Sequence, residues 1–201
     1  MKVAILGSGM KLVQLAEPLL LAKGAEIVLV TGEPHKVDRD IRENERVTIV
    51  EGDKKDIETV NAALKLGVDK VWADLGGDDI KEMAQVLVKS MDANGVKRLL
   101  WTSTLSKYSK APDEFAVWND KDLGKILVDH AEAAKVVRES DLDYTIIQPV
   151  WVNEEDSVEY ELSTSAAPSD ETEVSVPSVA TIVTDILTND SHKGETLTIT
   201  K

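Results

Sequence analysis

The chain has 201 residues, 42% of them hydrophobic, which is enough for one domain with a sizeable core. Its formal net charge of -14 excludes a nucleic acid partner, because that binding depends on Lys and Arg neutralising phosphates. The chain has no cysteine, which excludes disulfides, zinc thiolates and thiol nucleophiles. It has no apolar run of the ~20 residues that a membrane span needs, which excludes a membrane partner. Because no secretory signal follows Lys2 either, we expect a cytoplasmic protein.

A glycine turn follows the first predicted strand, residues 2–6. The strand runs directly into Gly7-Ser8-Gly9-Met10-Lys11, which is typical of the phosphate-binding turn of dinucleotide folds. Part of the glycine signature is missing, because Met10, Leu12 and Val13 occupy positions where variants of the motif carry a further glycine. The turn therefore predicts the fold, while its gaps leave cofactor binding open.

Strand and helix patterns then alternate along the chain. The first helix, residues 10–23, contains Pro18, which implies a kink or a break, and it ends at Gly24. Successive buried strands joined by helices imply a parallel sheet with helices on both faces, in the order 3-2-1-4-5-6. The further strands are predicted at 27–30, 47–50, 68–73, 98–101 and 144–147, and the further helices at 56–66, 78–94 and 121–140.

The pattern changes beyond Pro149. Residues 151–176 are polar and acidic, with short strand-like pieces at 158–162 and 173–176. Pro177 begins a last helix, and residues 196–200 form a final alternating strand. We therefore predict an α/β, Rossmann-like doubly wound sheet with a small C-terminal cap. It is expected to be one domain over 1–201, with a nucleotide-binding core at 1–149 and a substrate-side portion at 150–201.

Two segments resemble motifs of a known family. Residues 97–108 read KRLLWTSTLSKY, and residues 142–149 read LDYTIIQP. They are similar to KRLIFVSSLGIY and LDYTILRP of the atypical short-chain dehydrogenase/reductases, the NmrA-like and NAD(P)H-binding group. Gly52-Asp53, Leu75-Gly76-Gly77 and residues 172–175 before the last helix also fit. The resemblance covers nearly the whole chain and depends on the order and spacing of these motifs together.

The resemblance implies a dinucleotide site at the ends of the strands. Gly7 permits the tight turn, Gly9 lets the backbone approach the pyrophosphate, and Lys11 offers a positive charge. Asp53 matches the residue that flanks the adenine, or else it caps the helix near Asp56. The expected cofactor-binding residues are Gly7, Ser8, Gly9, Met10, Lys11, Gly32, Asp53, Leu75, Gly76, Gly77 and Thr102.

The end of the second strand normally distinguishes NAD from NADP. Gly32 takes the place of the family's arginine. Glu33 would favour NAD, whereas His35 and Lys36 would favour NADP, and a solvated loop is the alternative for all three. The sequence therefore leaves NAD, NADP and no cofactor open.

Carbonyl reduction in this superfamily uses a Tyr whose pKa is lowered by a Lys four residues later, with a Ser or Thr that holds the substrate oxygen. This chain contains no Tyr-x-x-x-Lys. His130 stands where relatives have Tyr or His, Ala131 stands where many have Lys, and Lys135 is turned to a different side of the helix. The alternatives are purely structural: Ser103 would be a turn residue, and Trp118 and Trp151 would serve core or surface packing. The candidate catalytic residues are Ser103, Tyr108 and His130, and the expected walls of the substrate cleft are Trp118 and Trp151.

These features favour an NAD(P)H-dependent oxidoreductase acting on a small carbonyl or quinone-like molecule. One alternative is a non-catalytic NmrA-like sensor that binds a dinucleotide and acts through a protein partner, which the missing Tyr and Lys favour. The other is a Rossmann-like interaction module without cofactor, which Met10, Val13, Gly32 and Gln148 favour.

The quaternary state and metal content have weaker signals. The carboxylates of Glu154-Glu155-Asp156 have no metal-binding spacing, so we expect no metal. A monomer and a homodimer built on the helices 78–94 and 121–140 both remain open.

Overall fold

A computed structural model describes residues 1–7, 9–103, 120–164 and 173–201, with side chains in the fifth helix described from Lys125 onward. The strands are β1 (Lys2–Leu6), β2 (Glu26–Thr31), β3 (Val47–Glu51), β4 (Lys70–Asp74), β5 (Arg98–Thr102), β6 (Asp143–Pro149), β7 (Trp151–Asn153), β8 (Glu161–Ser163), β9 (Glu173–Ser175) and β10 (Glu195–Thr200). The helices are α1 (Lys11–Ala22), α2 (Arg39–Arg42), α3 (Ile57–Leu64), α4 (Ile80–Asn94), α5 (Asp120–Arg138) and α6 (Val176–Asn189), and a 3₁₀ turn covers Pro34–Lys36. No helix in these ranges is long and apolar enough to cross a membrane.

The main sheet has eight strands in the order β3-β2-β1-β4-β5-β6-β10-β8. All neighbouring pairs are parallel except β10 and β8. The predicted order 3-2-1-4-5-6 and the α/β Rossmann-like fold are therefore confirmed. The C-terminal portion adds a separate parallel pair, β7 and β9, and also extends the main sheet through β10 and β8.

The two faces of the sheet are covered by different helices. Because side chains alternate along a strand, Trp72 of β4 packs in the core beneath α1 and α6, and Trp101 of β5 packs in the core beneath α3, α4 and α5. Both indoles are fully buried. The sheet is therefore covered on both faces, as a parallel sheet requires.

Two local predictions differ from the structure because packing overrides a local signal. Helix α1 continues unbroken through Pro18, since Ala16 and Leu20 are buried on either side of it, so the predicted break is wrong. Strand β6 was predicted over 144–147 and extends to Pro149, because the proline pairs in register with Ile199 of β10. Sequence patterns also missed the short helix α2, which Asp38 caps, and the strand β7.

Candidate functional site

The carboxyl ends of the parallel strands meet at one edge of the sheet. The order of the strands reverses between β1 and β4, and in open α/β sheets ligands bind in the crevice at that point. The glycine turn follows β1, and Leu75-Gly76-Gly77 follows β4. Thr102 and Ser103 lie at the end of β5 on the far side of β4 from the turn.

Gly7 brings the end of β1 against the end of β4. Its φ of +133° is one that residues other than glycine rarely adopt. A methyl group at Gly7 would also overlap the carbonyl oxygen of Asp74 and lie 3.2 Å from the Cβ of Asp74. The carbonyl of Gly7 accepts a 3.2 Å hydrogen bond from the amide of Met10, which closes the turn. This position therefore requires glycine for reasons internal to the fold.

The turn leads to a helix start that suits an anion. Gly9 has a φ of +93° and open space where a side chain would stand. Met10 is the N-cap of α1 in an ordinary extended conformation, makes no capping hydrogen bond and is half exposed, so its backbone does not require a glycine. With no acidic residue in the first turn, the first amides of α1 and the helix dipole fit a phosphate.

Two other members of the motif have different surroundings. Val13 is fully buried in the core beneath α1, which is how the helix accommodates a branched side chain at a position where relatives have a small one. Ser8 lies outside the described residues.

Lys11, the first residue of α1, contacts the C-terminal portion of the chain. Its Nζ lies 2.7 Å from Oε2 of Glu154, which follows β7, and both side chains are more than half exposed. The one lysine of the glycine motif is thus paired with a carboxylate that comes from the C-terminal portion of the chain, after β7.

The loop after β2 carries both signals that bear on the choice of dinucleotide. The amide of Glu33 donates to Oγ1 of Thr31 over 3.0 Å, and the carboxylate of Glu33 lies 2.8 Å from Nζ of Lys36. The hydrogen bond from Lys36 lowers the pKa of Glu33. Gly32 lies beside the carbonyl of Gly52, with 3.7 Å available to a methyl group. The acid and the cation of this loop are therefore paired with each other.

Asp53 and Asp56 have distinct roles after β3. Asp56 caps α3 by accepting hydrogen bonds from the amides of Glu58 and Thr59. Asp53 is exposed and accepts a 2.9 Å hydrogen bond from the amide of Lys55. The alternative that Asp53 caps this helix is therefore wrong, because the cap must directly precede the first helical residue, Ile57.

A buried carboxyl group lies at the crevice. Asp74 is 8% exposed and hydrogen-bonds to Thr102, whose Oγ1 accepts a 3.0 Å hydrogen bond from Nε1 of the Trp72 indole. Burial raises the pKa of Asp74 to about 6, against the opposing effects of the Thr102 hydrogen bond and the charge of Lys54. Sequence reasoning missed Asp74, although an acidic residue that ends the apolar run of β4 was a visible signal.

Ser103 extends the ladder of β5, since its amide donates to the carbonyl of Ile147 over 2.9 Å. Because side chains alternate along a strand, the side chains of Ser103 and Thr102 lie on opposite faces of the sheet. The face of Ser103 is the one that α5 covers. The Ser103 side chain is buried, and its hydroxyl has no hydrogen-bond partner among the described residues.

His130 lies on the buried stripe of α5, together with Ala133, Ala134 and Val137. Its Nδ1 is buried and has no hydrogen-bond partner in the part of the chain that the structure describes. Burial lowers the pKa of His130, although the charge of Asp129 opposes this effect. Lys135 is exposed and lies 3.9 Å from Glu139, so it faces away from the histidine.

Four of the predicted site residues thus lie on different faces of the sheet. Gly7 and Thr102 adjoin Asp74 on the α1 side of the sheet, whereas Ser103 and His130 belong to the α5 side. Trp151 begins β7 and is partly buried. Tyr108 and Trp118 lie outside the described residues.

The chain matches one protein family and is similar to several solved structures. A family model described as NAD(P)H-binding matches residues 11–190, beginning at Lys11, the last residue of the glycine motif. A Rossmann-fold NAD(P)-binding family protein from Shigella flexneri is 28% identical with a TM-score of 0.84, over 100% of this chain and 93% of that protein. No curated protein matches the chain significantly.

Two more distant structures share the fold. A short-chain dehydrogenase/reductase from Veillonella parvula, in complex with NADP, is 22% identical with a TM-score of 0.86, over 100% of this chain and 94% of that one. An anaerobillin reductase from Escherichia coli O157:H7 is 15% identical with a TM-score of 0.83, over 100% of this chain and 97% of that one.

Proposed function

Because this chain belongs to the NAD(P)H-binding family, we propose that it binds NADH or NADPH in the crevice between β1 and β4 and is an oxidoreductase of a small carbonyl or quinone-like molecule. The observation that carries the proposal is the turn itself. Gly7 packs against Asp74, Gly9 is open, and the first amides of α1 have no side-chain cap. This geometry suits a pyrophosphate, and in this fold the bound dinucleotide supplies a hydride.

The residues proposed to hold the dinucleotide follow the strand ends. The turn and Lys11 would bind the pyrophosphate, the loops after β2 and β3 would bind the adenosine half, and the ends of β4 and β5 would bind the nicotinamide half. These residues are Gly7, Ser8, Gly9, Met10, Lys11, Gly32, Asp53, Leu75, Gly76, Gly77 and Thr102.

Ser103 and His130 are the proposed catalytic residues, together with Tyr108. A buried hydroxyl without a partner costs roughly 1–3 kcal/mol, so an unsatisfied group of this kind suggests a function. Ser103 would donate a hydrogen bond to the substrate oxygen, and protonated His130 would give its proton to that oxygen as the carbon is reduced. Trp118 and Trp151 would wall the cleft.

A dinucleotide sensor is the second candidate function. The observation that favours it is the outward direction of Lys135, which leaves His130 without the lysine that activates the proton donor in this superfamily. A sensor would bind the reduced dinucleotide and not oxidise it.

The first experiment is a titration of the protein with NADH and with NADPH, followed by tryptophan quenching and nicotinamide emission. Oxidation of the bound cofactor is then measured with a panel of aldehydes, ketones and quinones. Micromolar binding with oxidation supports the reductase, binding without oxidation by any acceptor supports the sensor, and no binding of either cofactor overturns both.

A pair of glycine variants makes the titration specific. Gly9→Val should abolish binding, because the side chain would fill the open position at the turn. Gly67→Val is the control, since Gly67 also has a positive φ and open space but precedes β4 at the opposite edge of the sheet. Equal loss of affinity in both variants would contradict the proposed location.

A further inference from the structure

The carboxyl group of Asp74 is buried at the end of β4, beside the crevice between β1 and β4. Gly7 packs directly against the backbone and Cβ of Asp74, so the residue that carries the buried carboxyl group adjoins the turn proposed to bind the pyrophosphate. Acidic side chains that are this deeply buried are normally neutralised by a paired cation. Among the described residues, no cation forms an ion pair with Asp74.

The hydrogen bonds around Asp74 have a fixed direction. The indole Nε1 of Trp72 can only donate, and it donates to Oγ1 of Thr102 over 3.0 Å. The single hydroxyl hydrogen of Thr102 is then left for the carboxyl group of Asp74. One such bond does not replace the hydration that burial removes, so the ionised form remains disfavoured and the pKa of Asp74 is raised to about 6.

The charged groups around the crevice do not compensate for this burial. Lys54, in the loop between β3 and α3, has the one charge that lowers the pKa of Asp74 among the described residues. The turn after β1 is uncharged up to Lys11, and β5 contributes the neutral Thr102. Two further lysines form ion pairs with other carboxylates: Lys11 pairs with Glu154, and Lys55 pairs with Asp79.

We infer that binding of a dinucleotide to this chain takes up a proton at Asp74. The inference rests on the proposed function, which puts a doubly negative pyrophosphate at the turn formed by Gly7 and Gly9. A carboxylate packed on the other side of Gly7 would repel it, and the repulsion is poorly screened because the group is buried. A solvent proton that binds to a carboxylate oxygen of Asp74 removes the repulsion, and no bond to the cofactor is needed.

The consequence is a cofactor affinity that depends on pH. At pH values where free Asp74 is ionised, the apparent Kd rises by up to about tenfold per pH unit, because each binding event requires one proton. At lower pH, where Asp74 is already protonated, the Kd is constant.

The experiment is isothermal titration calorimetry of the full chain with NADH and with NADPH. At about pH 7, in buffers that differ in ionisation enthalpy, the wild type should take up as much as about one proton per bound dinucleotide. Asp74→Asn should take up correspondingly less, and at about pH 8 it should bind at least several-fold more tightly than the wild type. Asp69→Asn is the matched control, because it removes an exposed carboxylate just before the other end of β4 and should behave like the wild type.

Three results would overturn the inference. Binding without proton uptake would exclude it, and so would weaker binding by Asp74→Asn than by the wild type at about pH 8, since the carboxylate would then be a hydrogen-bond acceptor for the cofactor. If Asp74→Asn does not fold, Thr102→Val tests the same point, because losing the hydroxyl raises the pKa of Asp74 and should move the onset of the pH dependence upward. No binding of either dinucleotide at any pH would overturn the proposed function and this inference with it.

Discussion

Gly7 lies so close to Asp74 that a methyl group on Gly7 would overlap the carbonyl oxygen of Asp74. The contact joins the ends of β1 and β4, the strands between which the order of the sheet reverses. Gly7 is therefore needed by the fold as well as by the proposed cofactor site.

The first prediction concerns this contact. Gly7→Ala should lower the free energy of unfolding by roughly 2–4 kcal/mol, because the new Cβ both strains a positive φ and displaces the backbone of β4. Gly95→Ala is the control: Gly95 ends α4 with a φ of +69° and open space, so its replacement should cost only about 1 kcal/mol. Urea denaturation measures both values, and equal losses would show that the contact with Asp74 is unimportant.

The second prediction concerns the ion pair between Lys11 and Glu154. Glu154→Gln should strengthen binding of NADH or NADPH by about two- to fivefold, because it frees Lys11 for the pyrophosphate, and an exposed pair is weak. Glu155→Gln, which removes a neighbouring carboxylate near Lys201, is the control and should not change the Kd. Unchanged or weaker binding by Glu154→Gln would show that Lys11 does not bind the cofactor.

The third prediction concerns His130 as proton donor. Because burial lowers its pKa, its protonated fraction grows as the pH falls, and kcat/KM for the carbonyl substrate, measured at saturating NADH or NADPH, should rise over the same range. His130→Gln should abolish this rise and reduce kcat about 100-fold. His192→Gln is the control, because His192 pairs with Glu195 at the start of β10 and should leave the profile unchanged. A profile that His130→Gln does not alter would exclude proton donation by this residue.

The fourth prediction concerns Glu17, which is 2% exposed on the buried side of α1. Burial, with the nearby charge of Asp38, raises its pKa from 4.5 to about 7. The folded protein therefore holds this proton more tightly than the unfolded chain, so the contribution of Glu17 to stability is lost as the pH rises from about 4.5 to about 7. Glu17→Gln should raise the free energy of unfolding at about pH 8 by up to roughly 3 kcal/mol, and by much less at about pH 4.5.

Denaturation curves at the two pH values measure this difference. The control is Glu45→Gln, which neutralises an exposed glutamate in the loop before β3. If both variants change the stability by the same amount at each pH, the buried carboxyl group of Glu17 is not its cause.

The sheet could be predicted from the sequence because its strands are buried on both faces. Runs such as Ile27-Val28-Leu29-Val30 are apolar throughout, and the helices between them leave few orders that keep right-handed crossovers. The separate pair of strands was harder to predict, because β7 is only three residues long and begins with an aromatic residue that a loop also tolerates.

Of the candidate site, the sequence indicates the backbone geometry of the glycine turn. Gly7 was expected to permit a tight turn, and it has a positive φ and accepts the hydrogen bond that closes the turn. The roles of Gly7 and Gly9 in cofactor binding stay predictions. The raised pKa of Asp74 depends on its burial between β1 and β5, and the pairing of Lys11 with Glu154 depends on residues far apart in the chain. Local patterns do not contain either fact, because both arise only once the sheet has assembled.

Helix α1, near the beginning of the chain, shares its core with α6, near the end. During translation the apolar side of α1 therefore remains uncovered until α6 has left the ribosome, and β10 joins the sheet later still. Contacts between such distant parts of a chain form slowly, and the exposed surface favours aggregation in the meantime. The nascent chain is for this reason expected to depend on chaperones that shield its first βα unit, and premature termination before α6 should produce insoluble fragments.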